Sequence, residues 1–115
     1  MPVINIITGQ NNSFSVEKID SSDYGENIVR KTVGGIIYVS EEITKQILPD
    51  ADIYETSYNF KLNTLEVFIN GVKMSFGNDY SENLDQKTFS FLTKNIDLYK
   101  YVNSNSCIIV NYIEQ

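Results

Sequence analysis

Asn70-Gly71 sits between two runs of alternating apolar residues, and this feature constrains the chain more than any other. A two-residue turn of type I′ needs positive φ at both central positions, which Asn and Gly adopt at least cost. The twist of that turn matches paired strands, so residues 64 to 76 are expected to form a β-hairpin. In that register Ile69 faces Val72, Val67 faces Met74 and Leu65 faces Phe76, which places six apolar side chains on one face. The other face receives Phe68 with Lys73 and Glu66 with Ser75. A slip of one residue would turn the apolar set outward, so pattern and turn chemistry specify one pairing.

The rest of the chain repeats this short-strand grammar. Phe14 and Val16 alternate with polar neighbours, as do Tyr58, Phe60 and Leu62. Ile36-Ile37-Tyr38-Val39 is a β-branched run, and Gly34-Gly35 marks a bulge or tight bend before it. Residues 20 to 27 are rich in Asp, Ser and Asn and are expected to be a loop. Thr88 to Leu92 reads as a strand, with Phe89 and Phe91 pointing one way. Cys107 to Ile113 carries apolar groups on both alternating faces, which predicts a strand central in its sheet. One helical candidate covers Ser40 to Leu48: Ser40 as cap, Glu41 and Glu42 in the first turn, Ile43 and Ile47 on one face, Pro49 as stop. Val3 to Ile7 is a strongly apolar run for a chain end. It either pairs within the domain or adds a strand to a neighbour. The expected fold is mainly β: one antiparallel β-sandwich domain over residues 1–115, jelly-roll or Ig-like, with at most one short helix.

Charge and composition exclude several functions. The net charge is −6 with only 9 basic residues, and only Arg30 and Lys31 are adjacent. Phosphate neutralisation needs a basic stripe, so nucleic acid is not an expected partner. No run approaches the roughly 20 apolar residues of a membrane span, and the N-terminus lacks the features of a signal peptide. Histidine is absent, which removes Ser-His-Asp and Cys-His chemistry and the common zinc sets. The lone Cys107, flanked by Ile108-Ile109-Val110, reads as a buried thiol acting as a small hydrophobe. No spacing marks a catalytic pair among the 15 carboxylates. The chain is therefore expected to be no enzyme and to use no cofactor. Asp79, Glu82 and Asp85, with Asn78 and Asn83, form an acidic cluster of oxygen ligands that does not match the EF-hand spacing. It reads as a polar connection between strands, and no metal site is expected. Tyr24, Tyr54, Tyr80, Tyr99 and Tyr101 fall in or near loops, where such rings either cover the core edge or recognise a glycan or protein.

From Thr64 to Tyr80 the chain reads T-L-E-V-F-I-N-G-V-K-M-S-F-G-N-D-Y. The pattern L-x-V-x-x-N-G, a short strand, then G-x-D-Y resembles a motif of tailed-bacteriophage structural proteins. Thr88-Phe-Ser-Phe91 and Ile109-Val-Asn-Tyr112 fill the places of that motif's following T-F-x-F and closing V-x-Y strands. The resemblance covers about residues 56 to 114 and is to β-sandwich modules of tail fibres, baseplates, necks and head fibres. It implies a virion part, made in the bacterial host cytoplasm, that works by contact with other virion proteins and forms a homo-oligomer. It implies no catalytic residue. The roles it carries are structural: Asn70 and Gly71 for the hairpin turn, Asp79 and Tyr80 for the next corner. The alternative is a module of a phage appendage that binds a receptor or host-surface glycan, and a third reading is an unrelated interaction protein.

Overall fold

The structure is a computed structural model and describes residues 3–8, 12–47, 52–92 and 107–115, with only the backbone path given up to residue 13. Among the described residues the elements are ten strands and one 3-10 turn. In chain order they are β1 (Val3–Thr8), β2 (Asn12–Ser21), β3 (Glu26–Val33), β4 (Ile36–Glu42), the turn Thr44–Gln46, β5 (Ile53–Glu55), β6 (Glu66–Ile69), β7 (Val72–Lys73), β8 (Tyr80–Glu82), β9 (Thr88–Phe91) and β10 (Ile108–Ile113). The fold is mainly β, with two antiparallel sheets. A seven-stranded sheet runs β1-β2-β3-β4-β10-β6-β7, and a three-stranded sheet runs β5-β9-β8.

Local chemistry explains the corners. Gly34 and Gly35 both have positive φ, at 58° and 82°, and close a two-residue hairpin in which Val33 faces Ile36. Asn70 (φ 50°) and Gly71 (φ 83°) do the same between β6 and β7, with Ile69 opposite Val72 and Phe68 opposite Lys73. The loop expected over residues 20 to 27 shrinks to Ser22–Gly25, because β2 continues to Ser21 and β3 starts at Glu26. Ser22 makes this tight loop possible: its Oγ accepts from the backbone N–H of Tyr24 and Gly25.

The hairpin expected over residues 64 to 76 frays beyond Lys73. Met74 still donates its N–H to the Val67 carbonyl, but Leu65 and Phe76 do not pair. Phe76 instead bridges to Tyr80 and is 52% exposed, while Val72 also faces solvent. Among the described residues the helix expected over Ser40 to Leu48 does not form. Ser40, Glu41 and Glu42 extend β4, where they lie opposite Asn111, Val110 and Ile109 of β10. A nine-residue helix is marginal alone, and pairing with β10 outweighs it. Only Thr44–Gln46 turns, as a single 3-10 turn; Leu48 and Pro49 lie outside the described residues.

β10 is flanked by β4 on one side and β6 on the other. This central place accounts for its two apolar faces. Its inner face, with Ile108, Val110 and Tyr112, joins Ile28, Val39, Val67 and Ile69 from neighbouring strands. The three-stranded sheet covers that face with Tyr54, Tyr80, Phe89 and Phe91, all buried. Their rings meet edge-on or stacked: Tyr54 to Phe91 at 5.3 Å, Phe89 to Phe91 at 5.5 Å, Tyr54 to Phe89 at 5.9 Å.

Candidate functional site

The four residues carrying the phage-like motif build two separate corners. At the first, Asn70 reaches past its own turn: its N–H donates to the Cys107 carbonyl and its Oδ1 accepts from the Cys107 N–H, both at 2.8 Å. The hairpin turn is thereby tied to the start of the central strand. At the second, Gly77 holds φ 81°, and Asp79 closes the loop by accepting the Ser75 N–H on Oδ2 at 2.8 Å. Tyr80 then turns inward and donates its hydroxyl to the Leu65 carbonyl at 2.6 Å. Burial pushes the Tyr80 phenol up to about 12, so it remains a donor.

The acidic cluster also separates. Glu82 accepts the N–H groups of Asn63 and Leu65, one on each carboxylate oxygen. Asp85 accepts those of Lys87 and Thr88, which hold its carboxyl below the usual range. Each carboxylate therefore caps its own stretch of backbone, and among the described residues no group of three or more potential ligands is placed to hold a metal ion. The tyrosines divide as well. Tyr54 and Tyr80 are core rings rather than members of a surface platform, because they lie opposite Phe89 and Phe91 on the buried face of the three-stranded sheet. Tyr24 is half-buried, and Tyr99 and Tyr101 lie outside the described residues. Cys107 is half-buried rather than buried, since it sits just before β10 enters the core. Burial and Glu42 push its thiol up, away from the reactive thiolate.

A buried polar centre went unread in the sequence. Glu41 is 1% exposed and accepts from the Tyr112 hydroxyl at 2.8 Å and from the Ser57 N–H and Oγ at 3.0 and 3.1 Å. Ser57 Oγ meets Ser22 Oγ at 2.6 Å, and Tyr112 Oη also accepts the Tyr58 N–H. Gly25 leaves room for the carboxylate, since a Cβ there would stand 2.9 Å from Glu41 Oε1. Burial pushes the Glu41 carboxyl up, and burial beside Glu41 raises the Tyr112 phenol further. The centre pins the segment before Phe60 onto the larger sheet. The signal for it was alternation: Ile37, Val39, Glu41 and Ile43 share one parity, which carries Glu41 inward.

The surface most able to receive a partner is the outer face of the seven-stranded sheet. One row of opposed residues crosses five strands as Lys18, Val29, Ser40, Asn111 and Glu66. The next row is Val16, Lys31, Tyr38 and Ile113. Tyr38 is 44% and Ile36 45% exposed on this face. A groove of about 610 Å³ opens there between Val29, Lys31 and Tyr38 on one side and Thr64 and Glu66 on the other. Asn111 lies in its floor with a buried Oδ1 that has no hydrogen-bond partner among the described residues. Neither family models, nor curated proteins, nor solved structures match the chain.

Proposed function

We propose that the chain is a non-enzymatic structural or adaptor part of a tailed-phage virion that acts through protein–protein contacts. One observation carries this reading: among the described residues the larger sheet leaves an outer face, where Ile36 and Tyr38 stand exposed among polar side chains, and a long edge strand without a covering layer. Exposed apolar surface of this kind marks interaction sites, and open strand edges template pairing with another chain. The residues of the phage-like motif support it as braces: Asn70 ties the hairpin turn to β10 within this sheet, and Tyr80 ties the smaller sheet to the Leu65 carbonyl. The test is complementation. Phage with the reading frame interrupted should stall at an incomplete particle, and purified protein should complete it; normal particles without the chain would reject the reading.

A second reading, glycan recognition, is favoured by the outer-face groove. Its volume lies in the range of small-ligand sites, about 300–1,000 Å³, and its lining combines the Tyr38 ring with Ser40, Asn111 and Glu66. Isolated protein should then bind host envelope glycans, and Tyr38→Ala should abolish that binding without changing the melting temperature. Unchanged binding by Tyr38→Ala would place recognition elsewhere.

A further inference from the structure

The two sheets have four edges, and three of them are blunted. β7 has two residues and ends at Lys73, which pairs with Glu66 at 2.8 Å. β5 and β8 have three residues each and carry Glu55 and Glu82. Short, charged edges are how proteins avoid edge-to-edge pairing. β1 breaks this rule. It has six residues, Val-Ile-Asn-Ile-Ile-Thr, with no charge and no proline, and the first charged side chain in the chain is Glu17. β2 occupies one side of β1, and among the described residues the other side has no neighbour.

We infer that β1 pairs antiparallel with β1 of a second copy about a two-fold axis at Asn5, joining two seven-stranded sheets edge to edge. The sequence of the strand selects a copy of itself as partner. Outward from Asn5 come Ile4 and Ile6, then Val3 and Ile7, so the strand is nearly palindromic. In an antiparallel pair, directly opposed residues lie on the same face. A two-fold axis perpendicular to the sheet therefore allows only registers that match like parity. The Asn5-centred register opposes Asn5 to the partner's Asn5, Ile4 to the partner's Ile6 and Val3 to the partner's Ile7. Centring on Ile6 instead would set Asn5 against an aliphatic residue. An isologous contact of this kind closes at two copies. Each copy has a net charge of −6, yet the contact itself is neutral. Salt then weakens only the long-range repulsion, and dimerisation strengthens as ionic strength rises.

The inference deepens the assembly reading by naming the partner of one edge, and it rests on that reading for its role in the particle. Sedimentation equilibrium of the full chain tests it. Wild type should give twice the monomer mass of 13.1 kDa, with the dimer favoured by added salt. Asn5→Lys and Asn5→Asp should each give folded monomer, because like charges then oppose across the axis. An equimolar mixture of the two variants should restore the dimer as a 1:1 heterodimer. A monomeric wild type, a persisting dimer in either variant, no rescue in the mixture, or loss of folded circular-dichroism signal in the variants would each overturn it. If the chain is found in particles while wild type is monomeric, this contact alone is rejected. If the chain is absent from particles, the assembly reading is rejected whatever the sedimentation shows.

Discussion

Gly71 is held by backbone conformation and Glu41 by a set of buried polar partners. Gly71 follows Asn between alternating runs, and its φ of 83° is the conformation that such a dipeptide advertises. Gly71→Val should cost about 1–3 kcal/mol, the strain of holding a β-branched residue at positive φ, read as a lower denaturant midpoint. Glu41 is opaque because Ser40-Glu41-Glu42 fits the start of a helix as well as the end of a strand, and only pairing with β10 decides between them. Its carboxyl is raised by burial, so the sign of its linkage is set. The folded state gains relative stability from Glu41 below the unfolded carboxylate range, and that gain is lost as pH rises through the folded value. Melting curves of wild type and Glu41→Gln should therefore diverge with rising pH, in favour of the Gln variant. A difference independent of pH would show that Glu41 titrates as it does in the unfolded chain. At Gly25, a methyl group would meet the Glu41 carboxylate at 2.9 Å. Gly25→Ala should cost about 1–3 kcal/mol, as overpacking does, and a neutral result in thermal melts would mean that the polar centre yields easily.

At the scale of elements, periodicity is informative wherever one strand carries its own pattern. The two apolar faces of residues 107 to 113 correctly mark a strand with neighbours on both sides. The Phe89 and Phe91 alternation likewise places both rings in the core. Patterns fail where partners decide. The β6–β7 pairing stops at Lys73 because the chain must turn through Gly77 so that Tyr80 can enter the core, which leaves Phe76 outside. The candidate cluster Asp79, Glu82 and Asp85 is close only along the sequence, and each member serves a different stretch of backbone. Tyr80→Phe tests this corner: it leaves the Leu65 carbonyl unsatisfied in the core and should cost about 1–3 kcal/mol. EDTA should leave the melting temperature unchanged, and a large drop would mean that these carboxylates share a cation.

At the scale of the whole molecule, a larger sheet with one face and one edge uncovered among the described residues is joined to a smaller sheet that seals its inner side. The buried centre around Glu41 pins the segment before Phe60 to the larger sheet, Asn70 fastens the hairpin turn to β10, and Tyr80 fastens the smaller sheet to the Leu65 carbonyl. Sequence could propose this use only by resemblance, because a sheet face reads the same whether solvent or a partner lies against it. The motif residues carry no chemistry of their own that would separate a fibre from a neck or a baseplate. Quantitative mass spectrometry of gradient-purified phage particles decides whether the chain is a virion part. The chain should be present in multiple copies per particle, at a fixed ratio to known structural proteins and retained after a high-salt wash. Its absence from intact infectious particles, or its loss in the wash with infectivity unchanged, would contradict it.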